Sequence, residues 1–130
     1  MGKHTLFKGP LGVLMRWLGG IPINRTQAAS VTRQCIREFE ANPNLVLAIT
    51  PEGTRGKVKA WRMGFYHIAV GAQVPVIMGY ADYERKVVGI GPRLFPSGDI
   101  ESDMRIIRDF YDTVTAKCPE LAGCVSAAGE

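Results

Sequence analysis

Hydrophobic and polar positions alternate between a helical and an extended period along the chain, and each change of period marks an element. In Pro10-Leu11-Gly12-Val13-Leu14-Met15-Arg16-Trp17-Leu18, the apolar residues Leu11, Leu14, Met15 and Leu18 fall at helical spacing. Pro10 suits a first helical position and Gly19-Gly20 a stop. The polar face is thin, which favours a core helix over a seat against lipid headgroups with Trp17 at the interface. Gly20-Ile21-Pro22-Ile23-Asn24-Arg25 reads as a short extended piece ending in a cation, with Ile21 and Ile23 on one face. Thr26 is placed to cap a helix over 27 to about 41, striped by Ala28, Val31, Cys35 and Phe39 with Ile36 beside them. Asn42-Pro43-Asn44 breaks it.

The apolar run Leu45-Val46-Leu47-Ala48-Ile49 predicts a buried strand that Pro51 ends, because proline has no N–H for a ladder. A second helix follows over about 61–71. Trp61, Phe65, Ile68 and Ala72 mark its buried side, while Arg62, Tyr66 and Lys59 are placed to point back toward residues 50–57. Val74-Pro75-Val76-Ile77-Met78-Gly79-Tyr80-Ala81 reads as a strand, so strand, helix and strand predict a parallel pair with a right-handed crossover. Asp82-Tyr83-Glu84-Arg85 turns the chain into Lys86-Val87-Val88-Gly89-Ile90, an antiparallel edge neighbour. Ser97-Gly98-Asp99 caps a last helix to about residue 117, with Ile100, Met104, Ile107, Tyr111 and Val114 as its stripe. Asp99, Glu101 and Asp103 in its first turn suit the helix dipole. The pattern predicts an α/β fold, a mixed and mainly parallel sheet flanked by helices, as one domain over 1–118 with a loose tail over 119–130.

Composition changes this picture little and charge changes it more. At 130 residues, with 46% hydrophobic and 22% charged positions, the chain suits one folded domain. Residues 1–62 carry a net charge of +7 and residues 63–130 a net charge of −3. A basic half predicts an anionic partner: a phosphorylated small molecule, a membrane surface or nucleic acid. The cations are spread over loops and a helix without a nucleic-acid module's signature, so nucleic acid is set aside. Cys35, Cys118 and Cys124 lack metal-ligand spacing and read as reduced thiols of a cytoplasmic protein, Cys35 in the core. No apolar run approaches the roughly 18 residues of a membrane span. Leu6 stands where a myristoylation motif wants Ser or Thr.

Chemistry concentrates at Thr50-Pro51-Glu52-Gly53-Thr54-Arg55-Gly56-Lys57, where an apolar run ends in a turn bounded by glycines. Arg55, Lys57, Lys59 and Arg62 fall within eight positions, so the turn reads as built to receive an anion, against the plainer reading of a solvated basic loop. Arg25 also ends an apolar piece. Side by side, Arg25 and Arg55 could grip one phosphate as bidentate donors, with Glu52 positioning Arg55 or accepting from a substrate hydroxyl. The plainer alternative is a surface Arg–Glu pair of little energetic weight. His67 reads as a partly buried structural histidine. The chain has no Gly-x-Ser-x-Gly elbow, phosphate-binding loop of the Walker type or dinucleotide fingerprint.

Three of these segments match a family. Glu52-Gly53-Thr54-Arg55 resembles the Glu-Gly-Thr-Arg motif of the glycerolipid acyltransferases, which include lysophosphatidic acid acyltransferases. Gly20-Ile21-Pro22-Ile23-Asn24-Arg25 is similar to that family's second motif. Val74-Pro75-Val76-Ile77 resembles its Val-Pro-apolar strand, although Met78 stands where a second proline is usual. The resemblance implies acyl transfer from an acyl-coenzyme A or acyl-carrier-protein thioester to the hydroxyl of a glycerol-phosphate or lysophospholipid acceptor. It implies peripheral contact with a membrane surface and no cofactor or metal. It further implies that Arg25, Glu52, Gly53, Thr54 and Arg55 bind the acceptor's phosphate, with Gly20, Ile21, Pro22, Lys57, Val74 and Pro75 in support.

One part of the family pattern is missing. Its catalytic motif is a His, four residues and an Asp, the His acting as base on the attacking hydroxyl. Here Gly9 stands five after His4, and Ala72 five after His67. The expectation is therefore a domain lacking its N-terminal segment, with no catalytic residue of its own. A sheet short of its first strands would expose an edge and self-associate through it. The second expectation, of another class, is a non-catalytic remnant that binds anionic headgroups or a membrane surface.

Overall fold

The structure is a computed structural model that describes residues 2–3, 22–23, 28–54, 58–119 and 125. The chain divides into two compact units, Met1–Ile49 and Thr50–Glu130.

In the first unit the apolar stripe after Thr26 forms helix α1, Ala28–Ala41. Cys35 is buried at its centre, Val31, Ile36 and Phe39 are half-buried, and Arg33, Arg37, Glu38 and Glu40 face outward. The helix stops where expected. Asn42 N–H donates to Glu38 O at 3.0 Å, and the Asn42 side chain takes the Asn44 N–H at 3.1 Å. Strands β1, Gly2–Lys3, and β2, Pro22–Ile23, pair in parallel with Gly2 opposite Pro22 and Lys3 opposite Ile23. The helix predicted over residues 10–18 lies outside the described residues, as do Thr26, Cys124 and most of the predicted tail.

The second unit holds helix α2, Gly64–Ala72, strands β3, Val76–Asp82, and β4, Val87–Leu94, and helix α3, Ile100–Tyr111. β3 and β4 form an antiparallel hairpin that runs from Val76 opposite Leu94 to Asp82 opposite Val87. The turn at residues 83–86 is held by Asp82, whose Oδ1 accepts from the Arg85 N–H at 2.8 Å, and Lys86 takes a left-handed φ of 56°. The core is Trp61, Met78, Met104 and Ile107, with Phe65, Leu94, Phe110 and Tyr111 packed against it. Met78, at the position where the family motif usually has proline, is thus a core side chain.

Two expectations are corrected. The run Leu45-Val46-Leu47-Ala48-Ile49 forms no strand. Leu45, Leu47 and Ile49 are half-buried while Val46 is exposed, so the alternation of an extended chain is kept without a ladder. The mainly parallel sheet fails with it: among the described residues, parallel pairing is confined to the two-residue β1–β2 contact, and the longer pairing is antiparallel. The architecture is mixed α/β. Alternation marks which face is apolar but not which strand lies alongside, and closing the short 83–86 turn costs less chain entropy than closing a long crossover.

Two boundaries also move. Gln73 adopts φ 54°, its N–H bonding back to Ala69 O and Val70 O, so Val74 and Pro75 belong to the exit from α2 and the strand begins at Val76. α3 ends at Tyr111 rather than near residue 117. Thr113 Oγ1 donates to Phe110 O at 2.7 Å, and Thr113-Val114-Thr115 is a β-branched run of poor helix formers. Thr115 O then accepts the Tyr83 N–H at 2.9 Å, tying the chain after α3 to the end of β3.

The glycines of β4 make room for rings. A β-carbon on Gly91 would lie 2.3 Å from Phe110 Cζ, and Phe110 stands edge-on to Tyr80 at 5.6 Å. Gly91→Ala is therefore expected to force Phe110 out of place at a cost of roughly 1–3 kcal/mol. A melting midpoint equal to that of the unsubstituted chain would refute this close packing.

Candidate functional site: the Glu52-Gly53-Thr54 turn

The turn after Ile49 is formed by main-chain bonds and one left-handed residue. Gly53 N–H donates to Thr50 O at 3.2 Å, and Gly53 takes φ +66°, a conformation that costs an L side chain about 1 kcal/mol. Glu52 and Pro51 are half-buried, while Gly53 and Thr54 are exposed. The turn is anchored from downstream: Arg62 N–H donates to Pro51 O at 3.0 Å. α2 begins at Gly64, just after this anchor, rather than at about Trp61.

Of the side chains expected to turn back toward this segment, Arg62 does so and Tyr66 does not. Arg62 is exposed and its side chain lies across Gly53. Tyr66 is 2% exposed and packs with the core-facing side of α2. Its hydroxyl donates to Asp103 Oδ2 at 2.7 Å and accepts the Gly98 N–H at 3.1 Å. Asp103 also takes the Ser97 N–H at 2.7 Å and the Ser97 hydroxyl at 3.0 Å. Burial pushes the Asp103 carboxyl up, but the hydrogen bonds from Tyr66 and Ser97 outweigh it and hold the group below the usual carboxylate range. Burial, and then the bond to Asp103, push the Tyr66 phenol up. This cluster joins α2 to the start of α3 and thereby holds the helix that follows the turn.

The sequence pattern treats Asp103 as an exposed complement to the helix dipole. A signal for its burial is present: Asp103 stands three after Ile100 and one before Met104, on the edge of the apolar stripe. The cap is as expected, Asp99 Oδ1 accepting from Glu101 N–H at 3.1 Å and Ser102 N–H at 3.2 Å.

The remaining expected site residues fall as follows. Val74 and Pro75 are half-buried between α2 and β3, and Pro22 is in β2. Gly20, Ile21, Arg25, Arg55 and Lys57 lie outside the described residues. His67 is exposed on α2 rather than partly buried, its ring edge-on to Tyr66 at 6.2 Å. Burial and then Glu38 push the Cys35 thiol up, the environment of an inert core cysteine. No described helix is long and apolar enough to cross a membrane.

Comparison with known proteins bears on this turn directly. A family model described as Acyltransferase matches residues 1–78. Human 1-acyl-sn-glycerol-3-phosphate acyltransferase beta is 35% identical over 81 residues, covering 58% of this chain and 29% of that relative. The chain thus spans under a third of the length of that curated relative. No solved structure matches. The family match takes in both the Gly20-to-Arg25 piece and the Glu52-Gly53-Thr54-Arg55 turn, and the chain belongs to the glycerolipid acyltransferase family.

Proposed function

We propose that the Glu52-Gly53-Thr54-Arg55 turn binds the phosphate of a glycerol-phosphate or lysophospholipid acceptor, with Arg25 as a second arginine. The reaction served is acyl transfer to the acceptor's hydroxyl from an acyl-coenzyme A or acyl-carrier-protein thioester. The observation that carries the reading is the turn's shape: Gly53 at φ +66°, its N–H tied back to Thr50, within a segment that the family match includes. Two guanidinium groups would neutralise and orient a phosphate as bidentate donors. Val74 and Pro75 support α2 and β3, and Lys57 adds charge nearby. The chemistry assigned here needs no metal or other cofactor. Lysophospholipid acceptors reside in bilayers, so peripheral contact with the membrane surface at its cytoplasmic side is part of the same reading.

Neither histidine is followed at the fifth position by an acid, so no residue of this chain is assigned the role of base. The chain is expected to bind the acceptor without turning it over. That sequence fact is also what favours the second reading, a binder of anionic headgroups.

Titration of the purified chain with sn-glycerol 3-phosphate at low salt tests the assignment. Arg55→Gln is expected to weaken binding by about tenfold or more, the loss of a charge-assisted hydrogen-bonding pair, while glycerol does not bind to either protein. Equal affinity of the two proteins for sn-glycerol 3-phosphate would remove the reading. Transfer of labelled acyl groups from acyl-coenzyme A to 1-acylglycerol 3-phosphate by the purified chain would overturn the binding-only role.

A further inference from the structure

Arg62 is seven residues beyond Arg55 and outside the four-residue motif, yet it is built into the same turn. Its N–H is bonded to Pro51 O at 3.0 Å. Its side chain runs along the face of Gly53: a β-carbon at position 53 would meet Arg62 Nε at 3.2 Å, Cδ at 3.3 Å and Cζ at 3.4 Å. Both ends of the residue are thus referred to the turn, the backbone by a hydrogen bond and the side chain by close packing on a glycine. Nevertheless Arg62 is exposed, and no carboxylate among the described residues pairs with its guanidinium.

An exposed arginine ordinarily wanders and carries no meaning. This one packs against Gly53 and, among the described residues, has no carboxylate partner, and that combination suits a ligand. A guanidinium offers five N–H donors in a planar fork, and holding its stem in advance reduces the freedom lost when an anion arrives. The chemical class that fits is a phosphate monoester, which accepts bidentate hydrogen bonds and whose charge calls for more than one cation.

We propose that Arg62 is a further phosphate-binding residue of the Glu52-Gly53-Thr54-Arg55 turn, and that Gly53 lacks a side chain partly to let the Arg62 guanidinium lie across it. This rests on the acceptor-phosphate reading of the turn. It gives Gly53 two duties: the left-handed φ that reverses the chain, and the flat surface that seats the arginine.

The same titration with sn-glycerol 3-phosphate, on the full chain, separates this inference from the reading beneath it. Arg62→Gln is expected to weaken binding about tenfold and to flatten its salt dependence, whereas Arg62→Lys keeps the charge, loses the fork and falls between. Each variant retains its main-chain N–H, and melting curves verify that the fold persists. Gly53→Ala is expected to weaken binding with Arg62 still in the sequence, and wild-type affinity in that variant would overturn the seat assigned to Gly53. If Arg55→Gln loses binding while Arg62→Gln binds as the wild type does, Arg62 has no part and the turn's function stands. If the wild type binds no sn-glycerol 3-phosphate, the acceptor reading fails and takes this one with it.

Discussion

Asp103→Ala is expected to destabilise the protein by about 3 kcal/mol, because it leaves the buried Tyr66 hydroxyl and two part-buried donors of Ser97 without their charged acceptor. The Tyr66 hydroxyl, the Ser97 N–H and the Ser97 hydroxyl all donate to that carboxylate. For a unit of this size the loss corresponds to a fall in melting midpoint on the order of 10–20 °C. Tyr66→Phe removes one donor and leaves the carboxylate bound by Ser97, so about 1 kcal/mol is expected. The double variant should fall short of the sum, since the two residues share one bond. Circular dichroism melts of the four proteins measure this coupling, and an Asp103→Ala midpoint within a degree or two of wild type would show that the cluster adds no net stability.

The same cluster sets a pH dependence of definite sign. Asp103 is held below its ordinary value in the folded protein, so its contribution is complete above the unfolded carboxylate value of about 3.9 and is lost as pH falls through the lower, folded one. Tyr66 is raised above 10.0, so its contribution is complete below that and declines as pH rises toward the folded value. Stability should therefore hold a plateau between these limits with respect to this pair. Asp103→Ala should make the acid limb shallower, and an unchanged acid limb would contradict the assignment.

Ile107→Ala is the second large effect, about 2–5 kcal/mol. Ile107 is 1% exposed and sits in the cluster of Trp61, which precedes α2, Met78 of β3 and Met104, one turn back in α3. Removing three carbons there opens a cavity bounded by an indole and two thioether chains. Trp61 is also fixed edge-on to Tyr111 at 5.5 Å, and Tyr111 in turn donates to Gly79 O at 2.9 Å, so the cavity weakens the joint between α3 and β3. Ile107→Val, which removes one carbon, should cost about 0.5–1.5 kcal/mol. Urea denaturation gives both values, and a midpoint for Ile107→Ala no lower than that for Ile107→Val would show that the cluster relaxes around the gap. Because Trp61 immediately precedes Arg62, the destabilised core also loosens the anchor of the turn.

How much of this was legible depends on the range of the interaction. α1, α2 and α3 follow from apolar residues three and four apart, and the β3–β4 hairpin from two apolar runs flanking a polar turn. The Asp99 cap follows from a short polar residue ahead of an amphipathic stretch. All of these are properties of neighbours in the chain. The Glu52-Gly53-Thr54-Arg55 turn was legible too, as a proline, a glycine and paired charges after an apolar run, and its resemblance to a family was confirmed by a match over residues 1–78.

The rest depended on what folding brings together. Residues 45–49 have the pattern of a strand and none of the pairing, because a ladder needs a neighbour that periodicity does not name. Tyr66 looked like a residue of the polar face and proved to be core, since Asp103, 37 positions away, supplies the acceptor that makes its burial tolerable. Arg62 was visible as one cation in a basic stretch. Its seat on Gly53 arises from a main-chain bond to Pro51 and a missing β-carbon, neither of which has a period. The elements and the Glu52-Gly53-Thr54 turn were thus written in local order, while the choice of which polar groups to bury and the packing of Arg62 on Gly53 came from contacts between residues apart in the chain.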